Sequence, residues 1–280
     1  MPVAEALVST EWLAEHLGSP DVRVVDATWY LPSQGRDAKA EYAAAHIPGA
    51  VYFDIDDIAD DSSPLPHMLP SPAKFSARVR KLGLGDGVRI VVYDANRFMA
   101  SARVWWMFRL FGHGDVAVLD GGLAKWRAEG RPVDDQPVRP VERHFTARMN
   151  NMLVRDLDQM RANLARRTEQ IIDVRSAGRF NAAAPEPRPG LRSGHIPGSV
   201  NLPFSDLVAA DATLKPRAVL QERVTQAAID LDRPIVASCG SGVSAAVLSL
   251  ALFTLGYPQA AVYDGSWSEW GSRTDTPIAR

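Results

Sequence analysis

Short apolar runs closed by turn residues recur along the chain. Arg89–Tyr93, Val116–Leu119, Gln170–Val174, Pro234–Ser238 and Ala260–Tyr263 are of this kind. Each is four or five residues long and lacks apolar–polar alternation, which suits parallel strands buried on both faces. Longer apolar stretches of helical length lie between them. Val104–Phe111 stops at Gly112, and Val243–Leu255 stops at Gly256 with Pro258 just beyond; glycine then proline is a common helix ending. Strand–helix–strand units with short connections predict an α/β protein of parallel sheets flanked by helices.

The pattern occurs twice. Val25-Asp26-Ala27 followed by His46-Ile47-Pro48-Gly49 returns as Ile172-Asp173-Val174 followed by His195-Ile196-Pro197-Gly198. Leu119-Asp120-Gly121-Gly122 before Trp126 returns as Tyr263-Asp264-Gly265-Ser266 before Trp270. Three landmarks recurring in one order imply a duplicated domain. The expected division is residues 1–135, a linker at 136–150, and residues 151–280. The linker overlaps Arg131–Met149, which is rich in charge and proline and has no sustained period. His46 and His195 stand at equivalent turns in both halves, which points to structural roles.

Composition narrows the function. A net charge of −2 gives no reason to expect a nucleic acid or an anionic membrane as partner. No apolar run approaches the length that spans a bilayer, and the N-terminus has no basic segment leading an apolar one. The single cysteine, Cys239, cannot form an internal disulfide. A cytoplasmic protein with a reduced thiol is therefore expected. The histidines are scattered, without H-x-x-x-H or C-x-x-C spacing, and no P-loop or dinucleotide fingerprint occurs. Neither a metal nor a cofactor is expected.

Cys239 is the one candidate nucleophile. In Ile235-Val236-Ala237-Ser238-Cys239-Gly240-Ser241-Gly242-Val243-Ser244 it stands at the carboxyl end of a strand, just before a helix. Open α/β sheets bind ligands there. Gly240 and Gly242 let the loop wrap the sulfur with its N–H groups inward, and Ser244 is a candidate helix cap. A helix N-terminus favours a thiolate, and the same cradle suits a persulfide anion. A lone cysteine can also be a small buried hydrophobe, but a packing cysteine needs no glycine loop. Cysteine phosphatases share this geometry and require an arginine six residues on to clamp phosphate; here that residue is Ala245. In the first half, Asp94 falls opposite Cys239, with a one-residue slip possible, so only one half can react.

These residues resemble the tandem rhodanese-domain sulfurtransferases along essentially the whole chain. The likeness rests on Asp26–Pro32, Ser63–Pro70, Arg103–Arg109, Leu119–Gly122, Pro185-Glu186-Pro187-Arg188 and the cysteine loop. It implies two rhodanese-like domains, the first non-catalytic and the second carrying Cys239. One departure is Ala100-Ser101-Ala102-Arg103, where Ser-Ala-Pro-Arg is common. Members that prefer thiosulfate carry basic residues after the cysteine. Gly240 and Ser241 are instead similar to the loops of members that use 3-mercaptopyruvate, which bears one charge at its far end.

The resemblance further implies that Arg179 and Arg188 clamp that carboxylate, as guanidinium forks can; as residue types alone they could be solvated loop residues. Arg175, close to Asp173, reads as a structural ion-pair member. Gly240, Gly242, Val243 and Ser244 would complete the substrate-binding loop. Ser241, His67 and Asp56 are implied to handle the proton, although His67 could equally cap a turn and Asp56 lies among other aspartates. The expected reaction moves sulfur from 3-mercaptopyruvate through a Cys239 persulfide to a thiol, thioredoxin or cyanide, releasing pyruvate. Thiosulfate-to-cyanide transfer is the nearest alternative. A non-catalytic sulfur-binding or interaction module is the alternative from another class.

Overall fold

A computed structural model describes residues 5–280. The chain divides into two compact units. One comprises the described residues up to Asp60, with Leu69–Asn150 and Ala210–Leu214; the other comprises Asp61–Met68, Asn151–Ala209 and Lys215–Arg280.

The first unit runs β1 (Leu7–Val8), α1 (Thr10–His16), β2 (Val22–Asp26), α2 (Ala38–Ala44), β3 (Val51–Tyr52), α3 (Pro72–Lys81), β4 (Arg89–Tyr93), α4 (Met99–Leu110), β5 (Val116–Leu119) and α5 (Gly122–Ala128). The second repeats the order as β6 (Val154–Arg155), α6 (Leu157–Arg166), β7 (Gln170–Asp173), α7 (Ala177–Phe180), β8 (Val200–Asn201), α8 (Arg217–Gln226), β9 (Ile235–Ser238), α9 (Ala245–Thr254), β10 (Ala261–Tyr263) and α10 (Ser266–Trp270). Each unit holds a five-stranded sheet, ordered β1-β5-β4-β2-β3 and β6-β10-β9-β7-β8. Every named strand pair is parallel. The central strands β4 and β9 are buried because helices cover both sheet faces, which is why they read as unbroken apolar runs.

The helix stops are the same in both halves. After α4, the Gly112 N–H donates to the Arg109 carbonyl (3.1 Å) and that of His113 to Phe108 (2.8 Å). After α9, Gly256 donates to Phe253 (3.0 Å) and Tyr257 to Leu252 (2.9 Å). This paired closure needs a left-handed residue, and Gly112 and Gly256 supply it at φ 93° and 96°. α4 and α9 are apolar nearly all round because almost every residue of both is buried.

The stretch expected as a linker does not hang free. Asp134 pairs with His46, the His144 carbonyl accepts from Asp86 N, and Asn150 N donates to Leu110. Phe145, 2% exposed, enters an aromatic cluster with Phe75 and Phe108. Residues 131–150 are thus docked along the first unit, where charge and proline mask a strip that is irregular in conformation yet partly buried.

Candidate active site

β9 ends at Ser238, in register with Asp173 of β7, and Cys239 is the next residue. The equivalent register in the first unit sets Tyr93 of β4 against Asp26 of β2. Asp94 is therefore the structural counterpart of Cys239, without a slip. A second correspondence agrees: Leu123 N donates to the Asp94 carbonyl and Trp267 N to that of Cys239, both at 3.0 Å.

The side chain of Asp94 displays what this loop does. It is buried, and its carboxylate accepts backbone N–H groups from Asn96 (2.9 Å), Phe98 (3.2 Å), Ala100 (3.1 Å) and Ser101 (2.8 Å). Burial pushes the Asp94 carboxyl above its ordinary value, while the N–H donors of Ser101, Asn96 and Ala100 pull the other way. A strand–loop–helix turn of this kind thus gathers backbone amides around a carboxyl group, the arrangement that can bind an anion.

Cys239 is 1% exposed, and the backbone beneath it is pinned by the start of α10. Ser266 Oγ accepts from Cys239 N (3.1 Å) and donates to the Tyr263 carbonyl (2.7 Å). The Gly240 carbonyl accepts from Ser268 twice, from N at 2.8 Å and from Oγ at 2.7 Å. Ser266 holds this position at φ 47°. Neither serine stood out in the sequence; the signal available was that Gly265-Ser266 repeats Gly121-Gly122 ahead of a tryptophan. Gly242, at φ 75°, supplies a left-handed step within the loop. Val243 and Ser241 are buried. Ser244 does occupy the cap position of α9, but its backbone is already helical and its side chain makes no capping bond. Ala245, where a phosphatase would need arginine, is the first residue of that helix.

Arg179 and Arg188 converge on Gly240. A β-carbon placed there would lie 3.1 Å from Arg179 Nη2 and 3.9 Å from Arg188 Nη1. The absence of a side chain at 240 lets two guanidinium groups approach the residue next to the thiol. Arg179 comes from α7 and is tied to Glu186, its Nε donating to Oε2 at 3.1 Å and its Nη2 donating to the same oxygen. Arg175 sits behind them with its side chain fully buried, bound to Asp173 and Glu186 at 2.6 Å each and stacked 4.2 Å over the Trp267 ring. Burial alone would lower Arg175, but the hydrogen bonds and charges of Asp173 and Glu186 outweigh it and hold the guanidinium above its ordinary value. Arg175 is the structural ion-pair member that the sequence implied.

His67 belongs to the segment grouped with the second unit, is 7% exposed and adopts φ 60°. Its Nε2 lies 3.3 Å from Arg188 Nη2, with the guanidinium as donor. Asp56 belongs to the first unit, where its carboxylate accepts the Trp29 indole N–H at 2.9 Å. His46 and His195 do structural work. Each ring nitrogen Nδ1 meets a backbone carbonyl, of Tyr42 at 2.8 Å and Phe180 at 2.9 Å, and each ring stacks on that residue's aromatic side chain. Among the described residues no cluster of three histidine, cysteine or acidic side chains could hold a metal ion, and no helix is long and apolar enough to cross a membrane.

Comparison with known proteins agrees with this picture. The model of the rhodanese-like domain matches residues 9–129 and again 156–273. The 3-mercaptopyruvate sulfurtransferase of Escherichia coli K12 is 44% identical, over 97% of this chain and 96% of its own. The thiosulfate sulfurtransferase of Mus musculus is also 44% identical, over 96% and 92%. The solved structure of SseA from Escherichia coli, described as a 3-mercaptopyruvate sulfotransferase, superposes with a TM-score of 0.87 at 41% identity, over 94% of this chain and 99% of that one. A repeated sheet order, a cysteine at one of two equivalent strand ends and these full-length likenesses make this chain a member of the rhodanese-like family, one of its tandem-domain sulfurtransferases.

Proposed function

We propose that the chain takes sulfur from 3-mercaptopyruvate, carries it as a persulfide on Cys239 and passes it to a thiol, thioredoxin or cyanide. Relatives named for 3-mercaptopyruvate and for thiosulfate are equally similar, at 44% identity each, so overall likeness does not select the donor. The observation that carries the reading is the convergence of Arg179 and Arg188 on Gly240, beside the thiol. A donor with sulfur at one end and a carboxylate at the other fits a nucleophile flanked by two guanidinium groups.

The Cys239 thiolate attacks the donor sulfur. The carbon–sulfur bond breaks and its electron pair passes to carbon as the pyruvate enolate, which takes a proton to give pyruvate. Cys239 keeps the outer sulfur until a second nucleophile removes it, in a ping-pong cycle. The amide cradle around Asp94 supports a matching cradle for the persulfide anion in the duplicated loop 239–244, with Gly242, Val243 and Ser244 supplying its backbone. We assign proton handling to Ser241 and His67, with Asp56 as the carboxylate of the set. The 3.3 Å contact between His67 and Arg188 supports placing His67 near the donor. We place the protein in the cytoplasm, where its one thiol stays reduced.

Intact mass tests the reading. Brief exposure to 3-mercaptopyruvate is expected to add about 32 Da, the mass of one persulfide sulfur, in the native chain but not in Cys239→Ser, and a thiol should remove it. No gain with either 3-mercaptopyruvate or thiosulfate, in folded and reduced protein, would overturn the persulfide. A gain with thiosulfate alone would replace the proposed donor.

A further inference from the structure

Glu186 lies at the centre of the arginine cluster. Its side chain is 2% exposed, and its two oxygens serve different partners. Oε1 accepts from Arg175 Nη1 at 2.6 Å, whereas Oε2 accepts from Arg179 Nε and Nη2. Arg175 is the fixed side of this bridge. It is bound twice through Nε to Asp173, at 3.1 and 3.0 Å, and through Nη2 to Asp173 at 2.6 Å and to the Gly194 carbonyl at 2.8 Å. Its guanidinium also rests on the Trp267 ring, and the backbone N–H of Trp267 holds the Cys239 carbonyl. Glu186 therefore transmits the position of a rigid base to Arg179, whose side chain keeps 22% exposure and faces Gly240.

The bridge also sets the charge of the site. Glu186 sets a buried carboxylate against both Arg175 and Arg179. It thereby lowers the positive charge beside Gly240, which weakens the attraction for a dianion more than for a monoanionic carboxylate.

We propose that Glu186 is a positioning and specificity-determining residue: it aims Arg179 at the donor carboxylate and lowers the charge of the clamp to suit a 2-oxo acid rather than thiosulfate. This inference rests on the functional reading above. A buried carboxylate shared by two guanidinium groups fixes orientation through paired donors, and specificity is the difference between the two donors' transition-state energies.

The test is steady-state kinetics of Glu186→Gln with both donors. Glutamine keeps the shape and one acceptor while removing the charge. KM for 3-mercaptopyruvate should rise about tenfold, with kcat changed less than about twofold, while KM for thiosulfate stays level or falls. A residue needed only for folding would impair both donors alike, so an equal change with both, or none with either, overturns the proposal. Adding Glu186→Gln to Arg179→Gln should bring no further rise for 3-mercaptopyruvate; a fully additive rise would mean that Glu186 does not act through Arg179. Glu186→Asp, which retains the charge, serves if the glutamine variant does not fold. It should weaken 3-mercaptopyruvate binding without improving thiosulfate, and improved thiosulfate use would count against the charge-matching role. The native chain in the same assay separates the two levels: no turnover of 3-mercaptopyruvate there sinks the functional reading, whereas a working native chain with an indifferent Glu186→Gln sinks only this inference.

Discussion

Replacing Gly240 by alanine tests the proposed arginine clamp separately from the rest of the loop. The new methyl carbon would lie 3.1 Å from Arg179 Nη2 and 3.9 Å from Arg188 Nη1. Carbon contacts are most favourable at about 3.5–4.0 Å, so Arg179 must retreat by roughly half an ångström. Glu186 holds Arg179 by Nε and Nη2, and the retreat strains or breaks one of those bonds. A hydrogen bond to a charged group contributes about 1.5–3 kcal/mol, and about 1.4 kcal/mol corresponds to a factor of ten. The expected loss is therefore about tenfold in kcat/KM for 3-mercaptopyruvate, rising to about a hundredfold if the bond is lost outright. Thiosulfate, lacking a carboxylate, should suffer less. Gly240 is not among the glycines at positive φ, so its backbone accepts alanine and the melting temperature should hold. Turnover with each donor and a thermal melt on the same preparation decide the matter. Equal losses with both donors, or a large fall in melting temperature, would refute the assignment of residue 240 to the clamp.

Removing the base of the cluster should instead cost stability. Arg175→Ala leaves Asp173 and Glu186 buried without their shared counter-ion, and breaking a buried pair by one partner costs about 3–5 kcal/mol; urea unfolding measures it, and a cost below about 1 kcal/mol, the range of an exposed ion pair, would contradict the buried network. In the first unit, burial pushes the Asp26 carboxyl above its ordinary value, with Asp94 adding to the effect and hydrogen bonds from Thr28 and Tyr93 opposing it. A raised carboxyl contributes its full stability below about pH 4 and loses it as pH rises through the folded value. Asp26→Asn should therefore gain melting temperature over the native chain as pH rises above about 4, the ordinary carboxyl value, and a difference that does not grow with pH would refute this.

Where the fold was legible, local pattern carried it. The apolar runs became β4, β5, β7, β9 and β10 within a residue at either end, because strands buried on both faces show no alternation to blur them. The helix ends at Gly112 and Gly256 were readable because a left-handed closing residue is a local demand of the backbone. α4 was readable in part: Val104–Phe111 marked its second half, whereas Met99–Arg103 gave no helical signal. Ser244 illustrates the opposite case. Its type and position suited a cap, but the loop enters α9 already helical, so the hydroxyl has no cap to make.

The sequence by itself determined the duplication, the α/β class and the single thiol at a strand end, since each rests on the order and spacing of residues along the chain. Through resemblance it also singled out Arg179 and Arg188. Only the tertiary structure decided that Asp94 stands where Cys239 stands, because strand register removes an ambiguity that short apolar runs cannot. It alone joined Glu186 to both Arg175 and Arg179, and Ser266 and Ser268 to the cysteine loop. Those contacts depend on the side-chain directions and distances that arise when separated segments pack together. The type and spacing of residues say what a group can do, and packing decides which partner it does it with.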